Sequence, residues 1–301
     1  MPGAGSATAL YTVENDFGAG PATDPTWRLP GMNVTVNELS IEQALQRARY
    51  PDDPTPAGSR EGEWEGAAGV GFDLTDDNFH ELVFADGGTA LPNSLMSVPT
   101  ATWYLGVDLP DGSTDARTPV GTAVIDATVE YNRGENIRAE LTMLYGDEPD
   151  DISAPADASI EKPTVDQVYS FHGADFTVDG TAQALMQSAS ISLSNLARMR
   201  RGQNRKPYDA VTGAIEPSFS TDATYTEADQ NTLAYGSTSG GGIEIVDTAP
   251  GTFTLENGLG ETIEYSLSGL QPNTYSWADL VAADTDLSEP IDYHVADVEV
   301  A

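Results

Sequence analysis

The 301-residue chain has no cysteine, two lysines (Lys162 and Lys206) and three histidines. Without cysteine there is no disulfide framework, no thiol nucleophile and no thiolate metal site. His80, His172 and His294 stand far apart, and none has the His-Glu-x-x-His spacing of a helical zinc site. Each reads as an ordinary surface or half-buried side chain. No Gly-x-Ser-x-Gly elbow is present. The run "GSTSGGGIE" is followed by neither a lysine nor a capped helix, which argues against a phosphate cradle. "ADTDLSE" (283–289) has oxygen ligands at calcium-like spacing but lacks the glycine and ligand count of an EF-hand loop. No catalytic residue, cofactor or metal is therefore expected. No apolar run of about 18 residues occurs, so no membrane insertion is expected. The opening "MPGAGSATALYTVENDFG" lacks the basic and apolar segments of a secretory leader, so none is expected.

Acid is abundant. There are 48 acidic and 13 basic residues, a formal net charge of −35, and 39% of residues are hydrophobic. That apolar content supports a packed core rather than disorder. The carboxylates are spread along the chain, so pairs of them carry no catalytic information and a solvated acidic face is the default. A strongly acidic surface argues against nucleic-acid binding, which needs Lys and Arg. It suits a protein working in very high salt, where a Debye length of about 3 Å screens self-repulsion. A halophilic source is expected.

Strand signals dominate. "EGEWEGAAGVGFDL" alternates Trp64, Ala68, Val70, Phe72 and Leu74. "ATVEYNRGENIRAELTMLY" reads as a hairpin, with Ala127, Val129 and Tyr131 facing Ile137, Ala139 and Leu141 across Gly134. "QSASISLSN" sets Ala189, Ile191 and Leu193 against Ser190, Ser192 and Ser194. "GIEIVDTAPGTFTLENGLGETIEYSLSG" reads as a meander, and "PIDYHVADVEVA" as a closing strand. Short helices are expected from Asp76 to Phe84, capped by Thr75 and stopped at Gly87-Gly88, and from Thr226 to near Gly236. A capping-box turn is expected at Ser276 with Asp279. "LSIEQALQRAR" fits a helix or a strand.

Against the acidic background, five of the 13 basic residues fall between Arg198 and Lys206, in "LARMRRGQNRKPYDAVTG". This segment belongs to a weak repeat. Residues 45–88 align without gaps on 196–239 with eight identities. Leu45, Arg47 and Arg49 fall on Leu196, Arg198 and Arg200. Pro56, Gly62, Glu65, Thr75 and Leu82 fall on Pro207, Gly213, Glu216, Thr226 and Leu233. Both copies read as strand, long polar loop, strand and Thr-capped helix, so two similar units, 1–150 and 151–301, are expected. The loops have diverged: Asp52, Asp53 and Pro54 stand where Gln203, Asn204 and Arg205 stand in the second.

The order "ENDFGAGPATDPTWRLPGMNVTVNE", a loop, then "SREGEWEGAAGVGFDLTDDNFHELVF" resembles tail tube proteins of long-tailed viruses. "FHGADFTVDG", "QSASISLSNLARM" and "PIDYHVADVEV" resemble the remainder of the larger members, while 86–120 and 146–165 match nothing in that pattern. The resemblance implies an all-β fold with a few short helices. It implies two tandem β-sandwich or split-barrel tube domains that form a ring with a β-barrel-lined lumen. It implies a structural subunit of the virion tail, assembled in the host cytoplasm and, given the acidity, from a virus of halophilic archaea. Its partners would be itself in stacked rings, the tape-measure protein, and the tail terminator and tip proteins. Genome DNA would pass without specific binding, since an acidic wall of small residues repels phosphate. Ser190, Ser192 and Ser194 are the candidate lumen face. Arg47, Arg49, Arg60, Arg198, Arg200, Arg201, Arg205 and Lys206 are the candidates for ring stacking, because arginine pairs carboxylates bidentately. Six tube domains per ring make a pseudo-sixfold trimer the preferred assembly over a hexamer. The alternatives are another β-rich virion part or a surface-binding protein, such as a head-decoration protein or an adhesin, and a secreted halophilic hydrolase.

Overall fold

The computed structural model describes residues 7–93, 98–183, 185–225, 233–234, 248–278 and 286–301. In the first half, β1 (Ala7–Val13) and β2 (Trp27–Arg28) precede the long β3 (Met32–Glu42). A hairpin of β4 (Gln46–Ala48) and β5 (Gly58–Arg60) follows, then β6 (Glu65–Asp73) and one helical turn, α1 (His80–Val83). β7 (Ala101–Asp108), β8 (Thr114–Arg117), β9 (Ala123–Asn132) and β10 (Arg138–Tyr145) complete that half. In the second, β11 (Ile160–Glu161) leads to β12 (Tyr169–Val178), β13 (Thr181–Ala182) and β14 (Met186–Ser194). The hairpin β15 (Ala197–Arg200) and β16 (Asp209–Thr212) comes next, followed by β17 (Glu216–Thr224) and β18 (Ala249–Asn257). β19 (Thr262–Tyr275), β20 (Ser288–His294) and β21 (Asp297–Val300) end the chain. The fold is all-β with few helices, as its alternating apolar and polar residues dictate.

Two large sheets form. One runs β11-β2-β1-β7-β8; the other runs β13-β12-β18-β19-β20-β17-β14-β9-β10-β6-β3, with β21 also on β19. In the larger sheet, the run β19-β20-β17-β14 is followed by β9-β10-β6-β3, which has the corresponding order in the other half of the chain. Each run carries the same irregularity. The β9 ladder slips between Thr142 and Met143 of β10, skipping Ile125, and the β19 ladder slips between Pro272 and Thr274, skipping Asn273. The outer strands also correspond, as β2-β1-β7-β8 and β13-β12-β18-β19. β19 serves both layers: Thr262–Leu267 pair with β18, and Gln271–Tyr275 with β20. The change of direction falls at Gly269, whose φ is 63° and where a Cβ would sit 2.7 Å from that of Ala296.

The inward faces share one large core that spans both halves, with small separate clusters at Leu10, Trp27 and Tyr104 and at Ala123, Ala197 and Ala210. Phe219 is enclosed by Phe176, Phe253 and Tyr293, and Tyr11 packs on Trp103. Burying a side chain of this size stabilises the fold by about 1.5–3 kcal/mol. On β14, Ala189, Ile191 and Leu193 are buried while Ser190, Ser192 and Ser194 are half-exposed, as the alternation requires. The 123–145 hairpin has the expected register, with Ala127 opposite Leu141 and Val129 opposite Ala139.

The local helix readings need correction. Thr75 does not cap a helix, because it is fully buried; Asp76 instead accepts the N–H of Asn78, and the helical turn spans only His80–Val83. Buried Phe79, His80 and Leu82 fix that turn by packing rather than by a cap. Ser276 opens no turn: it donates its N–H to Pro290, and Ala278 pairs with Ser288, so the chain continues extended along β20. Asp279 and most of the residues of the helix expected over 226–236 lie outside the described residues, although Leu233 and Ala234 are helical. "LSIEQALQRAR" resolves as the end of β3 and the whole of β4. The closing segment is two strands, β20 and β21, broken at Val295-Ala296.

Candidate assembly interface

The cationic loop is clasped onto the first half of its own chain. Arg201 donates to the Trp64 carbonyl (2.8 Å) and to Glu65 (2.8 Å), with Glu63 at 3.8 Å. Arg205 pairs with Glu61 and donates to the Gly62 carbonyl (2.9 Å) and Gln43 (3.0 Å). Lys206 pairs with Asp147. Arg200 closes the hairpin onto Asp209 (2.6 Å) and lies 5.7 Å from the Tyr208 ring centroid. Beneath the clasp, Ala197, Ala210 and Met199 pack against Ala123, Ile125, Phe17 and Val98. The cluster of positive charge on an acidic chain thus meets anions of the same chain. Sequence reasoning missed those anions, Glu61, Glu63, Glu65 and Asp147. The signal available was the acidic "EGEWE" stretch, hidden by the many carboxylates elsewhere.

Among the described residues, the hairpin β4–β5 has no such seat. All six of its strand residues are exposed, and so are Leu45 (59%) and Tyr50 (66%) beside it. Arg49 reaches, among the described residues, only the Pro54 carbonyl, 2.9 Å away. Among the described residues, Arg47, Arg60 and Arg198 are exposed and form no ion pair. The structure therefore separates the eight candidate cations into a seated group (Arg200, Arg201, Arg205 and Lys206) and a group left at the surface.

Register also corrects the ungapped alignment. Arg47 lies opposite Ser59 and Met199 opposite Ala210, so Arg47 corresponds to Met199 rather than Arg198 once β5 is laid on β16. The extra residue sits in the first loop, which has more residues between its two strands than the second.

β3 is an open edge. Among the described residues it pairs with β6 alone, and its outer side shows Val36 and Ile41 to solvent. A groove of about 1190 Å³ lies between β3 and the five-stranded sheet, lined by Ala9, Leu29, Val34, Leu39, Leu105 and Val107. Arg117 bridges this seam: it pairs with Glu148 (2.5 Å), meets the Tyr145 hydroxyl (2.9 Å) and donates to the Leu39 carbonyl (2.9 Å).

The exposed face of the large sheet is polar and acidic. One cross-strand row reads Arg138, Glu130, Ser190, Ser220, Asp292, and the next reads Glu140, Thr128, Ser192, Ser218, His294. The three candidate serines sit mid-sheet in or beside these rows. The titratable groups that are most perturbed lie elsewhere, in the core. Burial pushes the His80 imidazole down to about 3, while its Nε2 lies 2.8 Å from the Tyr265 hydroxyl, which burial pushes up. Burial likewise raises the Glu289 carboxyl, against the Tyr275 hydroxyl that donates to it at 2.7 Å. Among the described residues, no cluster of three or more His, Asp or Glu side chains is arranged to hold a metal ion. This surface offers ion pairing, open strand edges and a repulsive acidic wall.

Residues 5–293 match the family model described as phage tail tube protein. No curated protein matches the chain.

Proposed function

We propose that this chain, which belongs to the phage tail tube protein family, assembles into rings that stack into a tube around a channel for genome DNA. The observation that carries this is the head-to-tail order in the large sheet. One four-stranded run ends at β14, the next begins at β9, and the last strand, β3, is left open. A chain of two such units, 1–150 and 151–301, offers at its ends the same edges it joins in its middle. Repetition of one joint closes a ring, and closure removes the sheet edges that otherwise pair without control. Six units come from three chains, so the ring is a pseudo-sixfold trimer rather than a hexamer.

The rows through Ser190 and Ser192 and their carboxylates face the lumen, where they repel phosphate and let DNA slide. Arg47, Arg60 and Arg198 meet acidic surface on the adjacent ring and set the stacking register. The protein has a structural and not a catalytic role. It works in the tail of a virus of halophilic archaea, is assembled in the host cytoplasm, and meets tape-measure, terminator and tip proteins along or at the ends of the tube.

Electron microscopy of the purified protein in molar salt tests this. Hollow tubes with three chains per ring are expected; persistent monomers would end the tube reading, and six full chains per ring would end the trimer. Arg47→Ser/Arg60→Ser/Arg198→Ser should give single rings that stack poorly, and normal tubes from this variant would show that these cations are merely solvated.

A further inference from the structure

We infer that each subunit joins the next by repeating the chain's own β14·β9 junction, with β3 of one copy laid along residues 276–278 of another. The inference rests on the ring reading above and assigns its joint residue by residue.

The internal junction is the template. There Ser192 lies opposite Thr128, Ile191 opposite Val129 and Ser190 opposite Glu130. Two independent ladders carry these positions to the open edges. Ser192 is opposite Ser218, the third residue of β17, and Ser40 is opposite Ala67, the third residue of β6. Thr128 stands two residues past Asp126, where the slipped β9 ladder resumes, and Ser276 stands two past Thr274, where the slipped β19 ladder resumes. The joint therefore sets Ser40 opposite Ser276, Leu39 opposite Trp277 and Glu38 opposite Ala278 of the next copy.

Both edges suit that pairing. Ser276 and Ala278 give their N–H groups to Pro290 and Ser288 of β20, so the peptide groups of Trp277 point to the opposite side. Trp277 is 44% exposed, and its indole N–H is held by the Tyr275 hydroxyl at 2.7 Å. Leu39 corresponds to Ile191, whose peptide groups face β9. Arg117 on the Leu39 carbonyl leaves that oxygen a second lone pair for a strand partner. Val36, Ile41, Leu45, Tyr50 and Trp277, five of the large exposed apolar side chains, all lie on these two edges or the hairpin beside one of them.

The bare hairpin completes the joint. β15–β16 follows β14 and clasps the segment that opens β6; β4–β5 follows β3 and has no such segment among the described residues. Arg49 stands one residue past β4 as Arg201 stands one past β15, and Glu216 opens β17 as Glu65 opens β6. Arg201 pairs with Glu65 within the chain. Arg49 takes Glu216 of the next copy.

Engineered cysteines test this cleanly, because the chain has none of its own. Ser40→Cys/Ser276→Cys, assembled in molar salt and oxidised with diamide, should cross-link into one species of three chains on denaturing gels. Thr128→Cys/Ser192→Cys should close within single chains and calibrates the yield. Tubes that cross-link poorly at 40/276, or as well through the out-of-register pair Ser40→Cys/Ala278→Cys, would overturn the joint and leave the tube reading standing. If the parent chain forms no ring, both fall. Arg49→Glu should raise the protein concentration needed for assembly about tenfold, and Arg49→Glu/Glu216→Arg should restore it. No restoration would overturn the hairpin contact.

Discussion

The hairpins β4–β5 and β15–β16 occupy the same place in the chain's order of strands, yet one is bare and the other clasped. The second lies on small apolar side chains and sends Arg201, Arg205 and Lys206 into acidic partners. The first exposes every residue of its two strands. Composition does not explain this, since both hairpins carry arginine and an apolar flank. Position does. Among the described residues, β14 has β9 beside it while the outer edge of β3 has no partner, so of these two hairpins the second is the one with a surface to lie on. In the proposed joint, the next copy supplies the seat that the first hairpin lacks.

Limited proteolysis should break the comparison most visibly. Trypsin should cut the free chain after Arg47 or Arg49 on the order of a hundredfold faster than after Arg201 or Arg205, because cleavage follows local opening. That order runs against cation number, which favours the second loop. Equal rates, measured by mass spectrometry of early fragments, would mean the clasp is not formed in solution. In assembled tubes the first loop should become protected.

The paired edge positions come next. Ile191→Ala empties a buried site between β9 and β17 and should cost about 2–5 kcal/mol, seen as a lower denaturant midpoint. Leu39→Ala, its counterpart on the open edge, should cost the free chain less than about 1 kcal/mol while weakening assembly.

A pH test asks how firmly the halves hold one another, since His80 of the first meets Tyr265 of the second. The imidazole titrates near 3 in the fold, below its unfolded value of about 6.5. The unfolded chain therefore binds that proton first, and the stability tied to the neutral ring is complete above about pH 6.5 and is lost as pH falls towards 3. Thermal midpoints should drop across that window, and less so in His80→Phe. The last comparison is between the arginines of the two hairpins. Arg201→Ala should cost about 1–2 kcal/mol through its carbonyl and carboxylate bonds, and Arg49→Ala within about 0.5 kcal/mol in the free chain.

Much of the fold was legible beforehand. The 123–145 hairpin and the two faces of β14 follow from period-two alternation, which a half-buried strand must obey. The helix limits were not, because Thr75 and Ser276 carry cap-like residues in places where burial and a β20 partner prevail. The eight cations were visible, but their sorting was not. Arg198 and Arg201 stand three residues apart in similar context, and what separates them is the distant segment Glu63–Glu65, which Arg201 meets through the Trp64 carbonyl and two carboxylates.

What the sequence determined by itself was the class of molecule. Alternation specified strands, the missing cysteine removed thiol chemistry, and a charge of −35 made the outer surface acidic. The tertiary structure decided which edges are joined and which stay open. Strand order depends on contacts between residues more than a hundred positions apart, such as Arg201 with Glu65 or Arg205 with Glu61, and no local pattern of side chains encodes those.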